Sequence, residues 1–584
     1  MCGIIGYNGN ENSIPFVLDG IKNLEYRGYD SFGCAFEGKG KNIEVRKDIG
    51  RINRIIEDYG ISSERSNKSI AHTRWATHGG VTKANSHPLL DCSGKIAVVH
   101  NGIIENFQEL KDSLKNHVFS SETDTEVLPH LIEEEIKNGK SFEDAVISTA
   151  EKIKGFSSFV VMNSSVDNII AVKNGSPLVL GVKENGIFVA SDVPSFLKYT
   201  NKVVYLFDGD VISIGKTGFK VLKSNNLGKH KVREVNFSIS DIDKGKYRHF
   251  MLKEIMEQQA LISKLVDSDL SYLKSAASAI SLSKRVFLLG SGSSFHVALL
   301  TASLFRDLGR DAIALQPQDL LNYSKIIGKE DIFMIISQSG ETMDLIESLP
   351  IIKENKKIGI INTEGSTLAN SVDYFININA GHEKGVAATK TFTMSAILSC
   401  LIAMFSAGEE KEALNDLNLL SINLYNIFVP SVYNAIKKAA SAIKGEKNLF
   451  FLGRGNDYLS AMEAALKMKE IAYIHAEAID SATFKHGPLA LVSKGTYSIA
   501  FVSDRFKDRE INNLKEIKAR NGKIIGIANE KLDVFDFLIR SQPAGIFNFV
   551  PQIIIAQLLS YYVSLSKHID PDHPRNLAKA VTTK

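Results

Sequence analysis

Cys2 stands directly after the initiator methionine, so removal of Met1 puts a thiol and a free α-amine on one residue. An α-amine titrates at about 7.7–8, below an ordinary thiol at about 8.5, and near neutral pH it can take the thiol proton directly or through a water. One residue then supplies both nucleophile and base. Arg74, in the run from His72 to Gly79, offers a guanidinium that can clamp a carboxylate bidentately, with Thr77 and His78 beside it. Asn101 and Gly102 end the apolar run 96–99, where a side-chain amide and a bare backbone N–H can face an oxyanion. Asp124 opens a helical stretch and suits a substrate ammonium. A carboxylate clamp with an ammonium clamp describes an α-amino acid. Each residue also has a plainer use, since Asn-Gly is a common tight turn, Asp124 can cap a helix and Arg74 can be a surface charge.

A second chemistry is written further along. Ser291, Gly292, Ser293 and Ser294 follow the apolar strand 286–289, and Ser337, Gln338, Ser339 and Thr342 follow another at 332–336. Strand, hydroxyl-rich loop and helix N-terminus make a phosphate cradle, because free backbone N–H groups and the helix dipole favour an anion. No lysine follows as in a nucleotide-binding P-loop, so a phosphate monoester fits better. The third glycine of a dinucleotide fingerprint would fall at Phe295, which argues against a nucleotide cofactor. The turn 290–292 is repeated at 453–455 after a second apolar strand, which points to two homologous lobes. There the counterpart of the 337–342 loop carries Asp504, which would repel phosphate, so only the first lobe is expected to hold it. Glu463, Lys467 and Glu470, at i, i+4 and i+7, place two carboxylates and an amine on one helical face. Alone, Glu463 and Lys467 could be an ordinary surface pair.

The N-terminal motifs 2–6, 25–31, 72–79 and 100–106 resemble those of N-terminal-nucleophile glutamine amidotransferases. The two hydroxyl-rich loops resemble the sugar isomerase (SIS) domain. Residues 463–475, 484–490 and 574–582, with 243–247 and 385–390, extend the resemblance over essentially the whole chain to the glutamine:fructose-6-phosphate amidotransferase family. It implies Cys2 as nucleophile and base, Asn101 and Gly102 as oxyanion hole, and Arg74, Thr77, His78 and Asp124 as glutamine pocket. Trp75 is implied as a gate on an ammonia path between two centres. In the sugar half, Glu470 would move the proton between C1 and C2, Lys467 assist, His486 open the sugar ring, and Lys579 act near the C2 carbonyl, plausibly as an imine-forming amine. Ala388 departs from the pattern, standing where bacterial members carry Ser, and is left out of the site. The implied substrates are L-glutamine and fructose 6-phosphate, the product glucosamine 6-phosphate, the assembly a homodimer through the isomerase half in which His486 could serve the partner's site, and no cofactor. A phosphosugar deaminase or deglycase is a weaker reading, because it needs no ammonia source, and so is a non-catalytic phosphosugar sensor.

These residues need a scaffold of several domains. The 584 residues suit about three or four. Up to about residue 235, short β-rich runs interrupted by helical patterns read as mixed α/β layers; beyond it, strand–helix alternation argues for parallel sheets covered on both faces. The expected architecture is a four-layer α/β/β/α glutaminase domain (2–236), two doubly wound α/β/α lobes (237–425 and 426–574) and a catalytic tail (575–584). With 69 basic and 66 acidic residues, the charge gives no reason to expect nucleic acid. Cys2, Cys34, Cys92 and Cys400 show neither disulfide nor metal-ligand spacing, which fits a reducing cytoplasm and no metal site. The apolar runs 393–408 and 549–566 are too short or too polar to span a bilayer comfortably and read as buried helices.

Overall fold

The computed structural model describes residues 2–38, 40–75, 79–235 and 243–579. The first part packs two antiparallel sheets face to face. One has eight strands in the order Arg233–Glu234, Lys202–Tyr205, Val179–Lys183, Gly186–Ala190, Gly3–Gly9, Lys68–Arg74, Ser31–Glu37 and Ile43–Ile49. The other has six: Phe219–Lys223, Asp210–Ile214, Ile169–Lys173, Ser157–Asn163, Ile96–Gly102 and Leu89–Leu90. Alternation along each strand sorts side chains to opposite faces. Ile4, Ala97 and Val99 meet between the sheets. Ile5 and Tyr7 turn outward onto helix Ser13–Asn23, while Ile96 and Val98 turn outward onto helices Val127–Lys137 and Phe142–Lys152. The outcome is the expected α/β/β/α stack.

Two five-stranded parallel sheets follow. The first runs Ala312–Leu315, Val286–Leu289, Ile332–Ser337, Lys356–Ile361, Tyr374–Asn377, and the second His475–Asp480, Asn448–Gly453, Tyr497–Val502, Lys523–Ala528, Phe537–Arg540. In chain order both read 2-1-3-4-5. In such sheets the connections leave in opposite directions from strands 1 and 3, opening a crevice beyond their carboxyl ends. The lobes share one core in which helices Lys390–Ser406, Asn456–Ala472 and Phe549–Ser566 pack together. The last is long and apolar enough to cross a membrane, but 83% of its most apolar window is buried inside the protein.

Candidate active sites

The first strand delivers Cys2 to the end of the eight-stranded sheet. Trp75 N–H donates to Cys2 Sγ at 3.2 Å, and the thiol donates to Trp75 O at 3.5 Å. Asn101 Nδ2 donates to Cys2 O and to Ser191 Oγ, both at 3.0 Å. The amide is held in this sense by His72, whose Nε2 faces two acceptors, His100 O at 3.0 Å and Asn101 Oδ1 at 3.1 Å, and therefore carries the proton. Burial pushes the His72 ring down to about 3, so it stays neutral. Gly102 has φ +130°, and a Cβ there would sit 2.1 Å from Phe156 O, so no other residue fits. Asp124 is buried, with Oδ2 accepting from Ile104 N at 2.7 Å. Arg74 is buried too, its two terminal nitrogens donating to Gly80 O at 3.0 Å and Gly79 O at 3.2 Å. Desolvation lowers the Arg74 guanidinium against the pull of Cys2, Asp30 and Asp124.

In the first lobe, strands Val286–Leu289 and Ile332–Ser337 are adjacent and parallel, so both hydroxyl-rich loops open at the crevice. Ser291 Oγ is buried and has no partner among the described residues. Ser337 Oγ accepts from Gly340 N at 3.0 Å, and Ser339 Oγ accepts from Glu341 N at 3.1 Å. A hydroxyl that accepts still has its proton to give, so the turn is braced while donors remain for an anion. Ser337 Oγ also lies 3.3 Å from Thr342 Oγ1. Ser293 is otherwise committed: its Oγ donates to Glu463 Oε1 at 2.9 Å and accepts from Lys467 Nζ at 3.2 Å, across the seam between the lobes.

That seam holds buried charges. Lys467 Nζ lies 3.2 Å from Glu463 Oε1 and 2.6 Å from Glu470 Oε2, and His296 Nδ1 lies 2.7 Å from Glu463 Oε2. Burial alone would depress the Lys467 ammonium, but Glu463 and Glu470 more than reverse this and hold it protonated. Lys467 therefore acts as a fixed cation. Burial raises Glu470, partly countered by Lys467, which moves this carboxyl toward the range where it can both take and return a proton.

The tail reaches both centres. Lys579 Nζ binds Glu383 Oε2 and donates to Gly385 O at 2.7 Å. Glu383 also accepts from Thr389 and Thr391. Glu254, pushed up to about 7 by burial and by Glu383, caps Lys384 N and Gly385 N. Five residues before Lys579, Pro574 O accepts from Tyr29 OH at 2.7 Å, and the Tyr29 ring stands edge-on to Trp75 with centroids 5.5 Å apart.

Residues 72–198 match a glutamine amidotransferase domain, and residues 279–405 and 442–536 match the SIS domain. Over their full lengths, the glutamine–fructose-6-phosphate aminotransferases (isomerizing) of Thermococcus kodakarensis and Pyrococcus horikoshii are 38% and 36% identical to this chain. The chain belongs to this aminotransferase family. Among solved structures, the C-terminal domain of the Francisella tularensis glucosamine-fructose-6-phosphate aminotransferase aligns in full with 57% of the chain, at 30% identity and a TM-score of 0.51.

Against this aminotransferase frame, the structure brings Cys2, Asn101, Gly102, Arg74 and Asp124 to one end of the sheet sandwich, and Lys467 and Glu470 to the inter-lobe seam. Thr77 and His78 lie outside the described residues, as does everything after Lys579. His486 is exposed, on the short stretch between helix Ser481–Phe484 and the turn Pro488–Leu491, and no side-chain partner is described for it. Asp504, expected to spoil the second crevice, points to solvent; Asp457 fills that place instead. Sequence reading missed Glu383 and Glu254, which hold the tail lysine and the loop beneath it, and Tyr29, which sits in a quoted motif without a role. Glu383, two residues before the 385–390 motif, was the one available signal; Glu254 meets that loop only across 131 residues of chain.

Proposed function

We propose that this chain hydrolyses L-glutamine at Cys2 and uses the ammonia to convert fructose 6-phosphate to glucosamine 6-phosphate. With Met1 removed, the Cys2 α-amine takes the thiol proton and Sγ attacks the side-chain amide carbon. Asn101 Nδ2 and the Gly102 N–H receive the oxyanion, ammonia leaves with the proton, and water hydrolyses the thioester to glutamate. Arg74 and Asp124 hold the two ends of glutamine, with Thr77 and His78 as further contacts. In the first lobe Ser291, Gly292, Ser294, Ser337, Gln338, Ser339 and Thr342 hold the sugar phosphate, and Ser293 positions Lys467. Ammonia adds at C2 and water is lost to give an imine; Glu470 removes a C1 proton and returns it to C2, and the C1 hydroxyl becomes the aldehyde as its proton passes to the imine nitrogen, which becomes the product amine. Lys579 serves the C2 carbonyl. His486 of the partner subunit opens the sugar ring in a homodimer, which accounts for an imidazole left exposed on one copy. The domain limits at 236, 425 and 574 follow the change from antiparallel to parallel sheets and the two repeats.

The observation that carries this reading is the bridge from Trp75 through Tyr29 to the tail that bears Lys579. Free ammonia in water is mostly protonated, so two centres that exchange it need a dry connection. Glutamate and hexosamine phosphate, measured separately from glutamine and fructose 6-phosphate, test it. Cys2→Ala should abolish glutamate release and leave ketose-phosphate isomerisation; persistent glutaminase would overturn the nucleophile assignment. Trp75→Ala keeps the backbone contacts to Cys2, so hydrolysis should survive while hexosamine phosphate formed per glutamate falls. An unchanged ratio would remove Trp75 from the path. A deaminase would release ammonia from the hexosamine phosphate and a sensor would turn over neither substrate.

A further inference from the structure

Far from both centres in sequence role, four ligand-type side chains converge on one point at the outer face of the six-stranded sheet. Cys92 sits on the turn after strand Leu89–Leu90, His117 follows helix Phe107–Ser113, and His130 and Glu133 are one turn apart on helix Val127–Lys137. We propose that Cys92 Sγ, His117 Nδ1, His130 Nδ1 and Glu133 Oε2 form a tetrahedral site for a borderline transition-metal ion, Zn²⁺ by preference.

The spacings carry the argument. Tetrahedral zinc with bonds of about 2.3 Å to sulfur and about 2.0–2.1 Å to nitrogen and oxygen has S···N edges of about 3.6 Å and N···N and N···O edges of about 3.3 Å. Cys92 Sγ lies 3.5 Å from His117 Nδ1 and 3.6 Å from His130 Nδ1. The two Nδ1 atoms are 3.2 Å apart, and Glu133 Oε2 is 3.2 Å from the first and 3.8 Å from the second.

The groups behind the ligands are those a metal site needs. His117 Nε2 faces Glu134 Oε2 at 3.1 Å, and His130 Nε2 faces Glu126 Oε1 at 3.7 Å. A proton on the far nitrogen leaves that ring's Nδ1 as a lone pair aimed at the shared point; Glu134 offers His117 Nε2 an acceptor for it, while His130 Nε2 has no hydrogen-bond partner among the described residues. With both ring protons on the far nitrogens, the one thiol proton can satisfy only one of the two Nδ1 lone pairs, and a cation at the shared point would satisfy both. Val118 N–H points at Cys92 Sγ at 3.5 Å, the kind of donor that steadies a thiolate. A nitrogen, sulfur and oxygen set suits Zn²⁺ and its neighbours over Mg²⁺ or Ca²⁺. Four protein ligands leave no open position, so the ion would be structural, and the exposed Cys92 gives it a way in. It would staple segment 117–133, in which Glu126 grips Ser120 and Ser121 and Asp124 enters the glutamine pocket. The spacing of Cys92 from two histidines and a glutamate spread over 42 residues matches no compact motif, which is why the cysteines alone suggested nothing.

The test uses the full chain freed of metal by a chelator and titrated with Zn²⁺ and, separately, Co²⁺. The expected result is one equivalent bound per chain, a cobalt spectrum with intense tetrahedral visible bands and a thiolate charge-transfer band, and a higher thermal transition with zinc. Cys92→Ser, at an exposed position that should not disturb folding, should lose the charge-transfer band and bind at least about 100-fold more weakly; Glu134→Gln, which keeps all four ligands, should weaken binding by about 10–100-fold. Absence of a stoichiometric equivalent at micromolar Zn²⁺, or a cobalt thiolate band that survives Cys92→Ser, would overturn the proposal.

Discussion

Strands Val286–Leu289 and Asn448–Gly453 each run into a Gly-x-Gly turn and then a long helix, and the turns coincide in conformation: Gly292 has φ 57° and ψ −127°, Gly455 φ 60° and ψ −125°. What lies over them differs. A Cβ at Gly292 would meet nothing within 4 Å among the described residues, whereas one at Gly455 would meet the Phe506 ring at 2.7 Å. In the second lobe Asp457 occupies the crevice, accepting from Ser503 N and Oγ at 2.8 Å each and from Gln552 Nε2 at 2.7 Å. Asp480 adds negative charge nearby and, with Asp457 and burial, raises the Glu510 carboxyl. One duplicated turn thus stays open in the first lobe and is covered by an aromatic ring and a carboxylate in the second. The second lobe contributes instead the helix Asn456–Ala472 behind that turn, whose Glu463 and Lys467 reach back to Ser293 and His296 of the first, with Glu470 bound to Lys467. On the proposed function, binding and proton transfer are divided between the copies, which a single lobe could not arrange without setting a base against the phosphate.

The sharpest way to break this division is Glu470→Gln. The amide keeps the shape but cannot take a proton, so hexosamine-phosphate turnover should fall by about 10²–10⁴-fold while glutamate release continues. Because the phosphate is held by the other lobe, KM for fructose 6-phosphate should change little. A large rise in KM with modest loss of kcat would place Glu470 in binding instead.

Ser291→Asp puts into the first lobe's loop a carboxylate of the kind that fills the second crevice. A carboxylate in the cradle replaces a donor with a like charge, and loss of one charge-assisted hydrogen bond worth about 1.5–3 kcal/mol alone raises KM by about 10–150-fold. Ser503→Asp in the second lobe should leave KM where it was. Equal effects of the two substitutions would mean that both crevices bind sugar phosphate, and the comparison would fail.

Much of this was legible in the sequence, and the limit is physical. Cys2, Asn101 and Gly102 are readable because their chemistry depends on local chain order. The 463–470 set is readable because a helix turns fixed spacing into one face. Glu383 beside Lys579, Tyr29 beside Pro574, and the Cys92–His117–His130–Glu133 cluster join distant segments, and such contacts exist only once the sheets have packed. The plug in the second lobe was expected at Asp504, one position past the strand-end serine, but Asp457, at the start of the helix that follows the lobe's first strand, reaches that serine instead. Spacing located the crevice correctly and could not say which of two nearby acids turns inward.

The smallest expected effect lies in the second lobe's buried acids and leaves catalysis untouched. Glu510 is buried, and desolvation, reinforced by Asp457 and Asp480 and opposed by its bond from Ser481, pushes its carboxyl up to about 7, against an ordinary 4.5. Because the folded value lies above the unfolded one, the folded state binds this proton more tightly. Stability from the group is fully present below about pH 4.5 and is lost as pH rises through about 7. Above that pH the lobe must bury a carboxylate among other carboxylates, at a cost on the order of 2 kcal/mol. Glu510→Gln accepts the same hydroxyl without the charge. Its thermal transition should therefore exceed that of the parent at pH 8, and the difference should shrink to nothing or reverse near pH 4.5. Hexosamine-phosphate kinetics should match the parent at every pH if, as proposed, only the first crevice takes the sugar phosphate. A stability difference that does not vary with pH would show that Glu510 binds its proton equally well in the folded and unfolded chain, and burial would then not be raising its carboxyl.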